Sequence, residues 1–298
     1  MLVDKRVPLR YIANKVRYEM LIVVVLGTVI HFLAGQLNPF IPDMPLTIAT
    51  FLGTAISVLL SFKMSQSYER WWEARKIWGA IVNDSRSFVL QLQAFTKRDD
   101  LKPIVRIMAY RQIAWCYSLG QTLRGLPPLE SCDNFLSKED IEKITPFKNK
   151  PLAILQLNVL EISKLRQQGE FSDFENIQLN NTSVRFSDNM GAAERINNTV
   201  FPTTYRMFLH FTIYLFVAIL SIALKDIWLL YEIPLLILIS LVFFVLEKTA
   251  YHLQDPFRNR PSDTPVTAIA RTIEINIRQL LNEEELPDPV TKDEFYIM

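Results

Sequence analysis

The stretch LTIATFLGTAISVLLSFKMSQSYERWWEARKIWGAIVNDSRSFVLQLQ, Leu46–Gln93, begins as a membrane span and ends as a water-facing amphipathic helix. From Pro45 to Phe62 it carries no charge, and that length falls in the range of about 17–25 residues that crosses a bilayer core. No proline and only two glycines, Gly53 and Gly79, interrupt Leu46–Gln93. The helix is therefore expected to continue far beyond the membrane. In its second part Trp71, Trp78, Ile81, Ser85, Phe88 and Leu92 recur at spacings of seven, three and four, one face of a helix.

Three further apolar stretches flank this segment: Tyr18–Leu37, Met207–Leu224 and Ile227–Leu246. The chain is thus a four-span membrane protein, with about 140 mostly polar residues between the two pairs of spans. That polar part holds the mean hydropathy to +0.15. The one clear interior charge is Glu232, near enough to a span end that it is expected to reach the interface. Basic residues set the orientation. Lys5, Arg6, Arg10, Lys15 and Arg17 precede span one, Lys63 and Arg70 follow span two, Arg195 and Arg206 precede span three, and Lys248, Arg258 and Arg260 follow span four. The connector HFLAGQLNPFIPDMP has no Lys or Arg, and the link between spans three and four has only Lys225. Both termini and the central domain are expected on the cytoplasmic side. The basic N-terminus resembles a signal peptide, but its apolar run is too long and no small-residue cleavage pattern follows, so it reads as a retained span.

The expected boundaries are a cytosolic N-terminus with spans one and two at 1–62, a cytosolic helical domain at 63–204, spans three and four at 205–250, and a C-terminal helix and tail at 251–298. Helices are expected at Leu101–Leu119, at Pro151–Gln168 with Leu152, Leu155, Val159 and Ile162 on one face, and from about Phe171 to Met190. Ser137, Glu139 and Asp140 mark a short helix start, and Pro202 a bend. Thr264 is placed to cap a helix with Pro265 in its first turn and a stripe of Val266, Ile269, Ile273, Ile277 and Leu280. NEEELPDPVTKDEFYIM is too acidic and proline-broken for a helix. No strand-period segment or repeat occurs; the fold class is all-α.

A net charge of +1 points away from nucleic acid as a partner. The eight glycines form no phosphate-cradling loop, and no nucleophile motif occurs. Cys116 and Cys132, with His31, His210 and His252 remote in sequence, make no metal pattern. No catalytic residue, cofactor or metal is expected. At the membrane junction Trp71 and Trp72 suit an interface, and Glu69, Arg70, Glu73 and Arg75 can pair along the helix. Thr50, Thr54, Ser57 and Ser61 put hydroxyls along one side of span two. Close helix packing and a water-accessible pore wall both account for them.

YERWWEARKIWG after a span, NDSR at Asn83–Arg86, the bend at Pro202 and DPF at Asp255–Phe257 resemble a bacterial bestrophin over nearly the whole chain. The resemblance implies a homopentamer in the bacterial inner membrane, passing small monovalent ions through an axial pore. It implies a neck of three rings from span two and a second, cytosolic aperture. Counted back from Arg70, the neck positions are Thr54, Val58 and Phe62; Thr54 departs from the bulkier apolar residue usual there. The aperture falls in Phe171–Asn180, at Phe174 or Ile177, with Asp173, Glu175 and Asp188 beside it. Acidic rings favour cations, and bacterial members look like cation conductors, so Na+ is the leaning, with the chloride of animal members the close rival. Animal members bind calcium just after the Pro-Phe segment, where this chain has Arg258 and Arg260, so no such site is expected. The rival functions are a membrane-anchored scaffold or receptor for a cytosolic partner and, further off, a membrane enzyme.

Overall fold

The computed structural model describes residues 7–36, 44–130, 132–291 and 295–297. Lys5, Arg6 and residues 37–43 of the first connector lie outside the described residues. The described chain is helical: α1 (Leu9–Gln36), α2 (Leu46–Phe95), α3 (Lys102–Leu123), α4 (Lys138–Ile144), α5 (Lys150–Gln167), α6 (Asp173–Asn198), α7 (Thr203–Ala223), α8 (Leu229–Leu253) and α9 (Val266–Leu280). The helices fall into two compact units, Lys5–Arg70 with Val200–Gln254 and Trp71–Thr199 with Asp255–Met298. α2 is unbroken and contributes to both.

The first unit contains α1, the start of α2, α7 and α8, which are the helices long and apolar enough to cross a membrane. α1 begins at Leu9 rather than Tyr18, and α8 runs on to Leu253, past the apolar stretch that announces it. The interior joins Val16 and Val23 of α1, Ala49, Ile56 and Leu60 of α2, Leu209, Ile213 and Phe216 of α7, and Leu236 and Phe244 of α8. Gly27 lets α1 approach α8 closely: a Cβ there would lie 2.8 Å from Leu236 Cδ1. Small residues at such crossings favour dispersion contact, the main attraction available between helices in lipid.

The second unit is built around α3, which packs against α5, α6 and α9. Trp78, Ile81, Phe88 and Leu92 of α2 are buried here with Met108, Ile113 and Trp115 of α3, and Ser85 lies buried on the same face. Burial of polar groups is compensated by pairing. Arg111 makes a two-pronged contact with Asp140 at 2.9 and 2.7 Å, and Gln112 Nε2 donates to Ser85 Oγ at 2.9 Å. Ser137 caps α4 by accepting from Asp140 N–H, and Ser172 and Glu175 close a capping box at the start of α6.

Two local expectations fail. On α5 the buried face is Ile154, Leu155, Asn158, Ile162 and Leu165, while Leu152 is exposed. Asn158 takes a core position because its Nδ2 donates to the Met108 carbonyl. α9 is not capped by Thr264: Pro265 is the capping residue and no side chain serves. The Thr264 N–H instead donates to the Pro256 carbonyl, closing the preceding loop. The apolar stripe of α9 stands, with Val266, Ile269, Ile273 and Ile277 buried.

Candidate functional site

α2 shows two faces within the membrane unit. Ile56, Leu60, Lys63 and Ser67 point into the protein and are at most 3% exposed. Thr54, Val58 and Phe62 lie on the other side and are exposed, Val58 at 50% and Phe62 at 64%. They continue the line of Phe51, also exposed. The spacing of four brings all three onto one stripe. Three of the four hydroxyls beside them are satisfied locally: Thr50 donates to the Leu46 carbonyl, Thr54 to Thr50 and Ser57 to Gly53, at 2.8–2.9 Å, while Ser61 is exposed and makes no hydrogen bond among the described residues. With those three protons engaged, their side chains offer outward only oxygen lone pairs.

Polar contacts anchor the reverse of the helix. Tyr205 Oη donates to the Leu59 carbonyl at 2.7 Å, and Arg70 Nε donates to the Gln254 carbonyl at 2.8 Å. Between them Lys63 Nζ meets Glu247 Oε1 at 2.9 Å, both side chains buried. Lys63, counted by sequence in the basic flank of span two, is thus buried, and a carboxylate from α8 compensates it. His210 Nε2 stands 3.5 Å from the second oxygen of Glu247. Glu232 does not reach an interface either. It is fully buried, 2.6 Å from His31 Nδ1, and accepts from Ser221 Oγ at 2.6 Å. α1 and α7 supply partners that a reading of α8 alone could not include.

The junction residues divide by role. Trp71 Nε1 donates to the Ser262 carbonyl at 3.1 Å, while Trp72 stacks on Trp71 and is about half exposed. Glu73 pairs forward with Lys76 at 2.6 Å.

On α6, Phe174 is 86% exposed and Ile177 54%, on the side opposite Leu179, Phe186 and Met190. Asn181, Val184 and Asp188 continue this exposed line. The three acids differ. Asp173 pairs with Arg166 at 2.9 Å, and Glu175 is engaged at both ends by Ser172, which holds its carboxyl below the ordinary range. Asp188 is exposed and has no ion pair among the described residues. The nearby cations Arg185 and Lys164 are engaged elsewhere, by Asp84 and Glu161.

The loop DPFRNRPSD folds onto itself, with Phe257 buried, Asn259 left-handed at φ 61° and the Arg260 N–H on Asp263 Oδ2 at 3.0 Å. Cys116 and Cys132 are buried, unpaired thiols, both pushed up to about 12 by burial.

Comparison with known proteins agrees with this arrangement. The profile of the bacterial/fungal bestrophin protein family matches residues 9–279. The voltage-dependent anion channel-forming protein YneE of Escherichia coli K12 is 35% identical over 253 residues, covering 84% of this chain and 82% of its own. The similarly described RSc3414 of Ralstonia nicotianae is 24% identical over 263 residues, covering 87% and 85%. The crystal structure of a bestrophin homologue from Klebsiella pneumoniae superposes with a TM-score of 0.83 at 26% identity, covering 91% of this chain and all of that one. The match runs through all four spans and the helices between them, and the chain belongs to the bacterial and fungal bestrophin family.

Proposed function

We propose that this chain is the subunit of a homopentameric channel that passively conducts small monovalent cations, Na+ among them, across the bacterial inner membrane. One observation carries the reading: α2 turns a continuous stripe, Phe51, Thr54, Val58 and Phe62, away from its own subunit while its opposite face is buried and anchored. Around a symmetry axis, Val58 and Phe62 form an apolar collar that gates by dewetting, with Thr54 the wider outer ring. Phe174 and Ile177 form the second constriction on the cytosolic side. Both termini and the domains at 63–204 and 251–298 are cytosolic, following the basic flanks of the spans.

What the stripe offers supports a cation. An anion needs hydrogen-bond donors. The hydroxyls of Thr50, Thr54 and Ser57 present acceptors, because their protons are held by the backbone. Asp188 adds an unpaired carboxylate on the exposed line of α6. A second reading, anion conduction, is favoured by the name that the curated relatives carry. Reversal potentials in asymmetric NaCl, from purified protein in planar bilayers, separate the two. Native mass spectrometry of the same sample counts the subunits. Absence of conductance from an intact oligomer would favour a scaffold or receptor.

A further inference from the structure

The buried trio Lys63, Glu247 and His210 lies one residue beyond the proposed collar. Lys63 follows Phe62 on α2 and therefore points about 100° away from it, into the protein. Its ammonium and the Glu247 carboxylate are essentially removed from solvent, 2.9 Å apart. Glu247 Oε2 accepts no hydrogen bond, yet it lies 3.5 Å from His210 Nε2. The His210 side chain is a quarter exposed, so protons can reach it. The ring is held between Tyr214 and Phe244, at centroid distances of 6.4 and 6.1 Å. The other charges around it are Arg206 on α7, Lys248 on α8 and Glu19 on α1. Lys248 and Glu19 are spent on each other at 2.6 Å, and Arg206 lies over the Tyr251 ring. One carboxylate, Glu247, thus stands between two cationic candidates.

We propose that Glu247 is the positioning residue for the collar end of α2, and that a proton on His210 draws it off Lys63, so that acidification on that side lowers cation current. This rests on the reading that α2 lines the pore. At neutral pH the trio balances: one ammonium, one carboxylate, one neutral imidazole. A proton on His210 gives it a charge-assisted donor for the idle oxygen of Glu247, and the carboxylate is then shared. The Lys63 charge beside Phe62 is correspondingly less neutralised, and the potential in the collar becomes more positive. Imidazole is the side chain suited to such a change of charge.

The test records single-channel current in liposome-derived bilayers while pH is stepped from about 8 to about 5.5 on each side in turn. Wild-type protein is expected to lose current at least on the order of fivefold from one side only, the effect of one protonated His210 of the five, a unit charge at about 10 Å in a medium of intermediate dielectric. His210→Gln removes the titrating group, and His210→Phe removes it while keeping the stack on Tyr214 and Phe244. Both should flatten the profile. A wild-type current independent of pH, a rise on acidification, or an unchanged profile in both variants would overturn the proposal. Failure of both variants to assemble would assign the ring to packing and overturn it as well. A wild-type oligomer that conducts at no pH refutes the channel reading itself, which sets that failure apart.

Discussion

Truncating the two faces of α2 separately tests whether the stripe lines a pore. Ile56 and Leu60 are 0% and 3% exposed, so Ile56→Ala or Leu60→Ala opens a cavity inside the subunit and should cost about 2–5 kcal/mol. Phe62 has 64% of its surface uncovered. Scaling the roughly 3–5 kcal/mol of a buried Phe→Ala by the covered third leaves about 1–2 kcal/mol. Val58, half covered, should lose about 1 kcal/mol on conversion to alanine, since it gives up only two methyl groups. Thermal unfolding in detergent, monitored by circular dichroism with the oligomer checked by gel filtration, should therefore rank the inner pair well above the outer pair. In bilayers, intact Val58→Ala and Phe62→Ala oligomers should pass larger single-channel currents or stay open longer, because a wider and less apolar collar dewets less readily. Thr54→Ala should matter less, since threonine is already small. Equal destabilisation by both pairs, or loss of the oligomer in the outer pair, would place the stripe in a packing interface. Unchanged current from well-assembled outer variants would refute the gate.

Three further outcomes follow from the buried groups. Glu232→Ala leaves His31 and Ser221 without their acceptor and should cost about 3–5 kcal/mol, whereas Glu232→Gln, which still accepts from Ser221, should lose clearly less in a detergent melt; equal losses would show that the hydrogen bond from Ser221 contributes nothing and that the carboxylate alone matters. Gly27→Ala pushes a methyl to 2.8 Å from Leu236 Cδ1 and should lower stability by about 1–3 kcal/mol, while Gly35→Ala, with open space around it, should not, and a neutral result at Gly27 in the same melt would refute the close approach of α1 to α8. The Cys116 and Cys132 thiols, raised to about 12 by burial, stay protonated at every pH below that value, so a maleimide at about pH 8 should label them only after unfolding; rapid labelling of folded protein would contradict their burial.

Periodicity along one helix was legible, and contacts between helices were not. The run Leu46–Gln93, free of proline, does form one helix, and Trp78, Ile81, Ser85, Phe88 and Leu92 are its buried face in the second unit. The capping oxygen of Ser137 and the break at Pro202 also follow from local chemistry. Glu232 was misplaced because an apolar helix gives no periodic sign of which side a neighbour covers, and His31 lies 201 residues away. Glu247 went unnoticed for another reason. It falls one residue past the apolar stretch ending at Leu246, where a charge looks like an ordinary flank, and its partner is 184 residues distant. On α5 the alternatives Leu152 and Ile154 are equally apolar, and only the packing of α3 decides between them. The candidate site was readable as a row of positions on α2, and its exposure emerged only once α7 and α8 covered the reverse side.

The placement of charge in the membrane unit explains how an exposed stripe can coexist with buried ions. Glu232 and Glu247 are fifteen residues apart on α8, about 22 Å along the axis, so they stand toward opposite ends of a span. Each meets a histidine from another helix, His31 on α1 and His210 on α7. An ionised group inside a bilayer must find partners, and these find them within the subunit. The surface facing away, from Phe51 to Phe62, is thereby left to aromatic and aliphatic groups and to hydroxyls, those of Thr54 and Ser57 closed on their own backbone. A free charge on that stripe would bind one ion sign tightly and slow its exit, whereas conduction needs sites weak enough to leave. α2 is thus fixed by ions that its outward stripe does not carry. On the proposal that α2 lines the pore, any step that alters those ions, a proton on His210 first among them, should act on conduction through the position of α2 and the field around it.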